Sequence, residues 1–361
     1  MKYIYSIVFL IFIGAHVKVS FGQKYNIGVG ITPEAGFLLV HRQGKMSHLL
    51  EEHVYGVNLG INIQTNGTKQ WHHDFLFPQF FVNASYKSLG NKEVLGEAYG
   101  IEGGYYLPIK NKHGWTFGPM LSAGIAFVTK CYDIENNPKN NAIGSHINSM
   151  VNVGFKVEKQ FKQQQLGLTL RMTHLSNGAV RLPNLGLNMP VLGVSYTYFF
   201  DSLYFEHKHI EDEVVHKVRT WAFYSQLIAS TKQIYPTGGS NYGVVAMANY
   251  AQYKWNRKFA MEVGLDVLYN QSIRVAVAGD WGKEKNIQAG VYGAFVIPIH
   301  RFQLYGGMGV YVINSLKPDG MVYHRLGGRF KLTNRLWGNI SIKAHWGKAD
   351  YFEYGIAYRW K

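Results

Sequence analysis

The chain has 361 residues, of which 16% are charged and 15% aromatic, and its formal net charge is +15. Charged residues make up roughly 25% of an ordinary soluble domain, and beyond the N-terminus no apolar run reaches the ~18 residues of a membrane-spanning helix. This composition excludes a helical membrane protein and favours an alternating β-barrel in lipid. A soluble, secreted all-β protein is the alternative.

The N-terminus has the pattern of a secretory signal peptide. Lys2 precedes a nearly unbroken apolar run from Tyr3 to Ala15, and small residues follow near Ser20. This run is too short to span a bilayer comfortably, whereas it fits the apolar region of a signal. We therefore predict export, with residues 1–22 removed. The basic charge of an exported protein suits phosphorylated lipid rather than nucleic acid, or it reflects a generally cationic barrel surface.

Strand-like alternation recurs along the rest of the chain. Between residues 258 and 267 the odd positions are large and apolar, and the even positions are small or charged. Because successive strand residues point to opposite faces, one face would contact lipid and the other a polar or packed lumen. We predict strands near 24–42, 52–65, 78–88, 94–107, 114–130, 146–160, 165–176, 190–200, 215–230, 240–254, 257–270, 285–297, 301–313, 321–333, 335–346 and 350–361.

Two architectures fit these strands. Eight strands suffice to close a small barrel, so the chain can form two tandem eight-stranded barrels or one barrel of about fourteen to sixteen strands. We divide it into a signal peptide (1–22), a first half (23–203), a charged connector (204–214) and a second half (215–361). The short connector slightly favours one continuous barrel. Either form is an all-β, antiparallel transmembrane barrel of the bacterial outer membrane.

The strand that begins at Gln165 carries two residues with catalytic chemistry. Its even positions from Leu166 to Met172 are apolar, and the same parity places His174 and Ser176 on that face. Side chains at i and i+2 lie ~6–7 Å apart at the backbone. An imidazole and a hydroxyl can therefore hydrogen-bond there, as a base and a nucleophile must. A polar pair facing acyl chains is costly without a purpose.

The sequence around this pair resembles the active-site motif of a known family. His174-Leu-Ser176-Asn177-Gly178, followed by Pro183-Asn184-Leu-Gly186-Leu-Asn188, is similar to the motif of the PagL family of lipid A 3-O-deacylases. That family is a small outer-membrane barrel whose Ser and His act on the outer, lipid-facing surface. The second half resembles the C-terminal half of longer relatives known as acyloxyacyl hydrolases, through HRLGGRFKLTNRLWGNISIKAHWGKADYFEYGIAYRW.

The resemblance implies a role for each matched residue. Ser176 would attack an ester carbonyl with His174 as its general base, and neither a metal nor a cofactor would take part. Asn177, the backbone N–H of Gly178 and Asn184 would support the site or stabilise the oxyanion.

One matched position, Asn188, departs from the family pattern, which has Glu there. An amide oxygen can orient an imidazole, but it cannot stabilise the imidazolium by charge. In a serine protease the corresponding acid-to-amide change costs about 10⁴ in turnover. A different carboxylate could supply the charge, and the sequence does not identify one.

Other polar residues receive structural interpretations. Strand parity turns Lys343, His345 and Glu353 inward, where they would form an interior network that joins neighbouring strands. The pair His72–His73 would point to opposite faces of a strand, so a polar surface loop is favoured over a metal site. Cys131, the single cysteine, excludes an internal disulfide, and no base for it is evident.

Two functions follow from these patterns. The favoured one is an outer-membrane hydrolase that removes an ester-linked acyl chain from lipid A, at the 3-O position by resemblance, with Ser176, His174 and Asn188 as its site. The alternative is a non-catalytic channel or structural barrel that keeps a degenerate site. The expected partner is lipid A of lipopolysaccharide in the membrane, and homodimer formation stays open.

Overall fold

The computed structural model describes residues 26–41, 43–203, 205, 219–276, 286–315, 320–346 and 348–360. The predicted signal peptide and nearly all of the predicted connector lie outside the described residues. The fold class is confirmed, because the described chain is all-β and forms closed antiparallel barrels.

The first barrel closes through strands at the two ends of the N-terminal half. Its strands are β1 (Asn26–Gly36), β2 (Val54–Gln64), β3 (Gln79–Ser88), β4 (Glu97–Tyr106), β5 (Lys110–Lys112), β6 (Trp115–Val128), β7 (Ile147–Phe161), β8 (Gln164–Ser176) and β9 (Leu187–Phe199). β1 pairs with both β2 and β9, and β4 pairs with β6. Eight strands therefore form the wall, and β5 is a short addition to β6.

The second barrel has eight consecutive strands. They are β10 (Thr220–Gln233), β11 (Asn241–Lys254), β12 (Ala260–Asn270), β13 (Ile287–Ile299), β14 (Phe302–Ile313), β15 (Val322–Lys331), β16 (Leu336–His345) and β17 (Lys348–Arg359), and β10 pairs with β17. The described helices are short: α1 (Gln43–Met46), a 3₁₀ turn (Ser47–Leu49), α2 (Gln70–Asp74) and α3 (Ser272–Ala276).

The preference for one continuous barrel is wrong. β9 returns to β1, with Gly28 opposite Phe199, and so leaves no edge for β10. Closure within each half pairs every strand edge without help from the other half, which is what a sheet in lipid requires. The first predicted strand, 24–42, is longer than the observed one: β1 ends at Gly36, and the chain then continues beside β9 through the Leu39–Asn188 bridge before α1 begins.

The predicted alternation appears as exposed apolar and buried polar faces. On β12, Met261, Val263 and Leu265 are exposed, whereas Glu262 and Asp266 are buried inside the barrel. None of the helices in the described ranges has both the length and the apolar character to cross a bilayer.

Buried ion pairs fill the interior of the second barrel. The Arg329 guanidinium contacts the Glu262 carboxylate at 2.5 and 3.1 Å and lies 3.9 Å from the centre of the Tyr305 ring. Arg325 bridges Asp266 at 3.0 Å and Glu353 at 2.7 Å. Each of these two arginines therefore has an opposite charge and further hydrogen bonds, which is the condition under which a buried ion pair is tolerated.

The first barrel is filled in the same way. Arg171 contacts Glu34 at 2.6 Å and Glu102 at 3.1 Å, and Lys87 pairs with the other oxygen of Glu34. The cavity beside Arg171 has a volume of only about 40 Å³. We infer that side chains clamped across the lumen of the described barrels block an aqueous path.

We therefore expect the folded protein to form no ion-conducting pore. In planar bilayers the conductance should equal that of the protein-free membrane, with a porin of known conductance as the positive control. Reproducible single-channel steps that require the folded protein would contradict this expectation and would favour the channel alternative.

The barrels contact each other near both ends. At one end the Trp71 ring of the β2–β3 connection stacks on His300 of the β13–β14 turn, with 5.4 Å between ring centres. At the other end the Gln233 N–H donates to the Ala179 carbonyl at 2.8 Å, and the Leu182 N–H donates to the Gln233 side chain at 2.6 Å. The second contact fixes the loop between β8 and β9.

The predicted polar surface loop at His72 is instead a short helix with this histidine buried. His72 lies in α2 and its Nδ1 accepts from the Gly67 N–H at 3.1 Å. Because α2 folds back on the β2–β3 connection, the period-two argument does not apply there. Within the described residues no group of three or more His, Cys, Asp or Glu side chains could hold a metal ion.

Stability at this end of the barrels is expected to depend on pH. Burial, and then the charge of Lys69, lowers the pKa of His72 from 6.5 to about 4. Between these values the unfolded chain binds a proton that the folded chain does not, so stability is complete above pH ~6.5 and is lost as the pH falls towards ~4. Hydrogen exchange of residues 65–78, corrected for intrinsic rates, should accelerate over this range. The acceleration should be absent in His72→Gln, and its persistence there would contradict the assignment.

Candidate active site

The candidate site lies where β8 ends and β9 begins. His174 is opposite Asn188 in the β8–β9 register, and Ser176 is opposite Ser149 of β7. The even positions of β8 carry the exposed leucines, so strand parity places His174 and Ser176 on the outer face of the first barrel. The predicted facing of this pair therefore agrees with the strand geometry.

Three of the predicted site residues form one hydrogen-bonded chain. His174 Nδ1 lies 2.6 Å from the Asn188 side-chain oxygen, and His174 Nε2 lies 3.0 Å from Ser176 Oγ. An amide oxygen can only accept, so Nδ1 carries the proton and Nε2 is the acceptor for the Ser176 hydroxyl. This is the tautomer that a general base for serine needs.

The pair is more enclosed than the sequence predicts. Ser176 is only 2% exposed and His174 is partly buried. The loop from Asn177 to Gly186 returns across the site, and Gly186 packs against the imidazole so closely that a Cβ would lie 2.8 Å from a ring carbon of His174. The loop thus covers the outer face at the strand end, although strand parity directs both side chains outward.

A second histidine, which the sequence did not indicate, extends the chain. Asn188 Nδ2 lies 3.1 Å from His41 Nδ1. The chain after β1 brings His41 there, since the Leu39 N–H donates to the Asn188 carbonyl at 2.8 Å. An amide that donates to His41 must turn its oxygen towards His174. Among the described residues, no carboxylate forms an ion pair with His174.

The candidate oxyanion residues divide into two groups. Asn177 supports the loop: its N–H donates to Asn184 Oδ1 at 3.0 Å, and its side-chain amide donates to Ser145 at 2.9 Å and to the Arg181 carbonyl at 2.8 Å. Within the described residues, neither the side-chain nitrogen of Asn184 nor the backbone N–H of Gly178 donates a hydrogen bond. They are the donors that stay available to an oxyanion.

Gly178 occupies a position that only glycine fits. Its φ is +62°, in the left-handed region, and a Cβ would lie 2.3 Å from the Phe352 ring of the second barrel. A side chain here would be strained and would collide with β17. The second barrel therefore constrains the loop that carries the candidate oxyanion donors.

Two further histidine environments are resolved by the structure. His146 Nε2 lies 3.5 Å from the Cys131 thiol, although no base for this cysteine was evident in the sequence. Burial raises the pKa of Cys131, so the group stays a thiol. In the second half, Lys343, His345 and Glu353 are buried inside the barrel, and Glu353 accepts from Ser341 at 2.7 Å. The Glu353–Ser341 bond joins β17 to β16, whereas Lys343 Nζ lies over the Tyr311 and Tyr323 rings of β14 and β15.

Comparisons with known proteins give two family matches. The family model described as "Lipid A 3-O-deacylase (PagL)" matches residues 55–197, and "Acyloxyacyl hydrolase, C-terminal domain" matches residues 220–361. No curated protein matches the chain. The site segment and the second barrel thus fall within separate matches.

Solved structures give only a distant likeness. A mutant of the Rhodopseudomonas blastica porin is 11% identical, with 93% of this chain and 100% of the porin covered and a TM-score of 0.21. A triple mutant of the same porin is 10% identical at the same coverage and TM-score. Scores this low say nothing about the architecture of the chain.

The family matches imply a hydrolase that acts on lipid A and, together with the barrel fold, an outer-membrane protein. Both matches agree with the resemblance seen in the two halves of the sequence. The chain belongs to the PagL lipid A 3-O-deacylase family, in the two-half form that carries an acyloxyacyl hydrolase C-terminal domain.

Proposed function

We propose that this protein is an ester hydrolase that removes the 3-O-linked acyl chain of lipid A in the outer membrane, with Ser176 as nucleophile and His174 as general base. The observation that carries the proposal is the hydrogen-bonded chain from Asn188 through His174 to Ser176. The family matches support lipid A as the substrate.

The first half-reaction forms an acyl-enzyme. Ser176 Oγ attacks the ester carbonyl while its proton passes to His174 Nε2. The negative charge that develops on the carbonyl oxygen is stabilised by the Gly178 N–H and the Asn184 amide. The C–O bond to the sugar then breaks, and the imidazolium returns the proton to the sugar oxygen, which leaves as a hydroxyl.

The second half-reaction releases a fatty acid. A water molecule attacks the acyl-enzyme carbonyl and gives one proton to His174 Nε2, and the proton then passes to Ser176 Oγ as the serine ester breaks. The products are free fatty acid, O-deacylated lipid A and the regenerated enzyme. No group outside the chain and water is needed to balance either step.

Asn188 and His41 together set the tautomer in this proposal. Asn188 provides no negative charge, so it cannot stabilise the imidazolium as a carboxylate does. Because the Asn188 amide nitrogen donates to His41, the Asn188 amide oxygen remains the acceptor for His174 Nδ1. His41 is thus a positioning residue that preserves the correct tautomer without an acid.

Mass analysis of lipid A tests the proposed reaction. Lipid A from cells that produce the wild-type protein should lose one ester-linked acyl chain relative to cells with the empty vector, and an equal amount of free fatty acid should appear. Fragmentation should locate the new hydroxyl at the 3-position. Unchanged lipid A, with the protein folded in the outer membrane, would refute the hydrolase. Loss of another ester chain would refute only the 3-O assignment.

A further inference from the structure

A cavity of about 640 Å³ lies between the two barrels, beside the candidate site but outside its hydrogen-bond chain. Ile147 and Arg181 line it from the first barrel, and Phe352 and Tyr354 line it from the second. Neither barrel encloses this space alone. The second half therefore creates a cavity that a single barrel would lack.

The cavity begins one residue away from Ser176. Ser149 lines it, and the Ser149 hydroxyl donates to the Ser176 carbonyl at 2.8 Å. Asn177 also lines it and holds the backbone of Arg181 through a 2.8 Å hydrogen bond to the carbonyl. The loop that carries the oxyanion donors thus also fixes a cation in the cavity wall.

The wall combines hydrocarbon surface with one exposed cation. Ile147 and Tyr354 are exposed apolar side chains on the outer faces of β7 and β17. Arg181 is exposed and forms no direct ion pair with a described carboxylate, although Asp133 is close enough to interact with its charge. A guanidinium without a carboxylate in direct contact is well suited to a phosphate, which it can bind through two parallel hydrogen bonds. A phosphate next to an apolar wall matches an anionic amphiphile.

We propose that this inter-barrel cavity binds the part of the substrate that is not cleaved, an acylated and phosphorylated glycolipid. Arg181 binds a headgroup phosphate, and Phe352 and Tyr354 contact an acyl chain that stays on the product. This inference rests on the proposed ester cleavage at Ser176. It assigns to the second half the task of holding the substrate beside the nucleophile.

Steady-state kinetics on the full-length protein test this role. Hexa-acylated lipid A in detergent micelles is the substrate, and its surface concentration is varied. Arg181→Ala and Tyr354→Ala should each raise KM about tenfold and change kcat less than about threefold, because they remove binding that is equal in the ground and transition states. Wild-type KM values in both variants would overturn the cavity assignment and leave the hydrolase intact.

Matched controls separate specific binding from general effects. Arg274→Ala removes an exposed cation of α3 in the second barrel, and Tyr196→Ala removes a partly exposed outer-face tyrosine of β9. Neither residue lines the cavity. Both controls should keep wild-type KM. If Arg274→Ala raised KM as much as Arg181→Ala, the net charge of the protein and not the position of Arg181 would determine substrate binding. That result would overturn the role of Arg181.

A binding measurement makes the test independent of turnover. The Ser176→Ala protein is irradiated with a photoreactive diacyl glucosamine phosphate, and the labelled peptides are identified by mass spectrometry. Labels should fall on the 177–181 loop and on β17, and Arg181→Ala in the same background should reduce them at least about tenfold. Labels elsewhere would overturn the cavity assignment whether or not the wild type hydrolyses lipid A.

Discussion

Ser176→Ala is expected to abolish lipid A deacylation, with a fall in turnover of roughly 10⁴- to 10⁶-fold, as for a removed serine nucleophile. The hydroxyl is the only group of the chain that is hydrogen-bonded to His174 Nε2 in the described residues. Without it no acyl-enzyme can form, and the oxyanion donors alone give only residual catalysis. Release of fatty acid from lipid A micelles measures the effect.

The same experiment needs evidence that the variant is folded. Ser176 is at the end of β8, so its replacement leaves the β8–β9 pairing in place. Heat-modifiable migration in gels, which reports a closed barrel, should match the wild type. Ser225→Ala, a serine-to-alanine change in the second barrel, should keep full activity. If a folded Ser176→Ala protein deacylated lipid A at the wild-type rate, Ser176 would be refuted as the nucleophile.

His41→Ala is expected to reduce turnover by about 10²- to 10⁴-fold, although His41 does not touch the nucleophile. Without His41, the Asn188 amide is free to turn its nitrogen towards His174 Nδ1. That nitrogen is a donor, so the imidazole proton would have to move to Nε2, and Nε2 could no longer accept from Ser176. The expected loss is in kcat rather than KM.

Asn188→Asp provides the second side of a double-mutant cycle. A carboxylate accepts through either oxygen, so it fixes the tautomer without His41 and also stabilises the imidazolium. Hydrogen bonds to charged groups contribute about 1 kcal/mol more than neutral ones, so turnover should rise roughly fivefold above the wild type.

The coupling between the two changes distinguishes positioning from structural damage. In the Asn188→Asp background, His41→Ala should cost less than about threefold, because no amide remains to be oriented. The interaction energy of the cycle would then be large. An equal loss in both backgrounds would show that His41 supports the fold locally and does not set the tautomer.

The strands were largely predictable from the sequence, because the period-two pattern is local. The predicted 114–130 and 257–270 correspond to β6 (Trp115–Val128) and β12 (Ala260–Asn270). β5 was missed because three polar, exposed residues carry no alternation. The first strand was predicted too long, since its apolar pattern continues past Gly36, where the chain keeps only an isolated bridge to β9 at Leu39.

The site was predictable only in part. His174 and Ser176 lie on one strand, so their shared face follows from parity, and the resemblance linked Asn188 to them. The His41–Asn188 contact joins residues 147 positions apart, and the Cys131–His146 contact crosses the connection between β6 and β7. No local pattern marks such a pair, because the barrel closure and the loop paths bring them together.

By itself, the sequence determined the strand pattern, the polar and apolar faces and the Ser/His pair, since side-chain alternation requires only a strand. Only the tertiary structure decided that each half closes on itself, because that depends on which distant strand edges meet. It also decided that a loop covers Ser176 and that the second barrel forms a wall beside it. Those features arise from contacts between residues that are far apart in the chain, which no local pattern encodes.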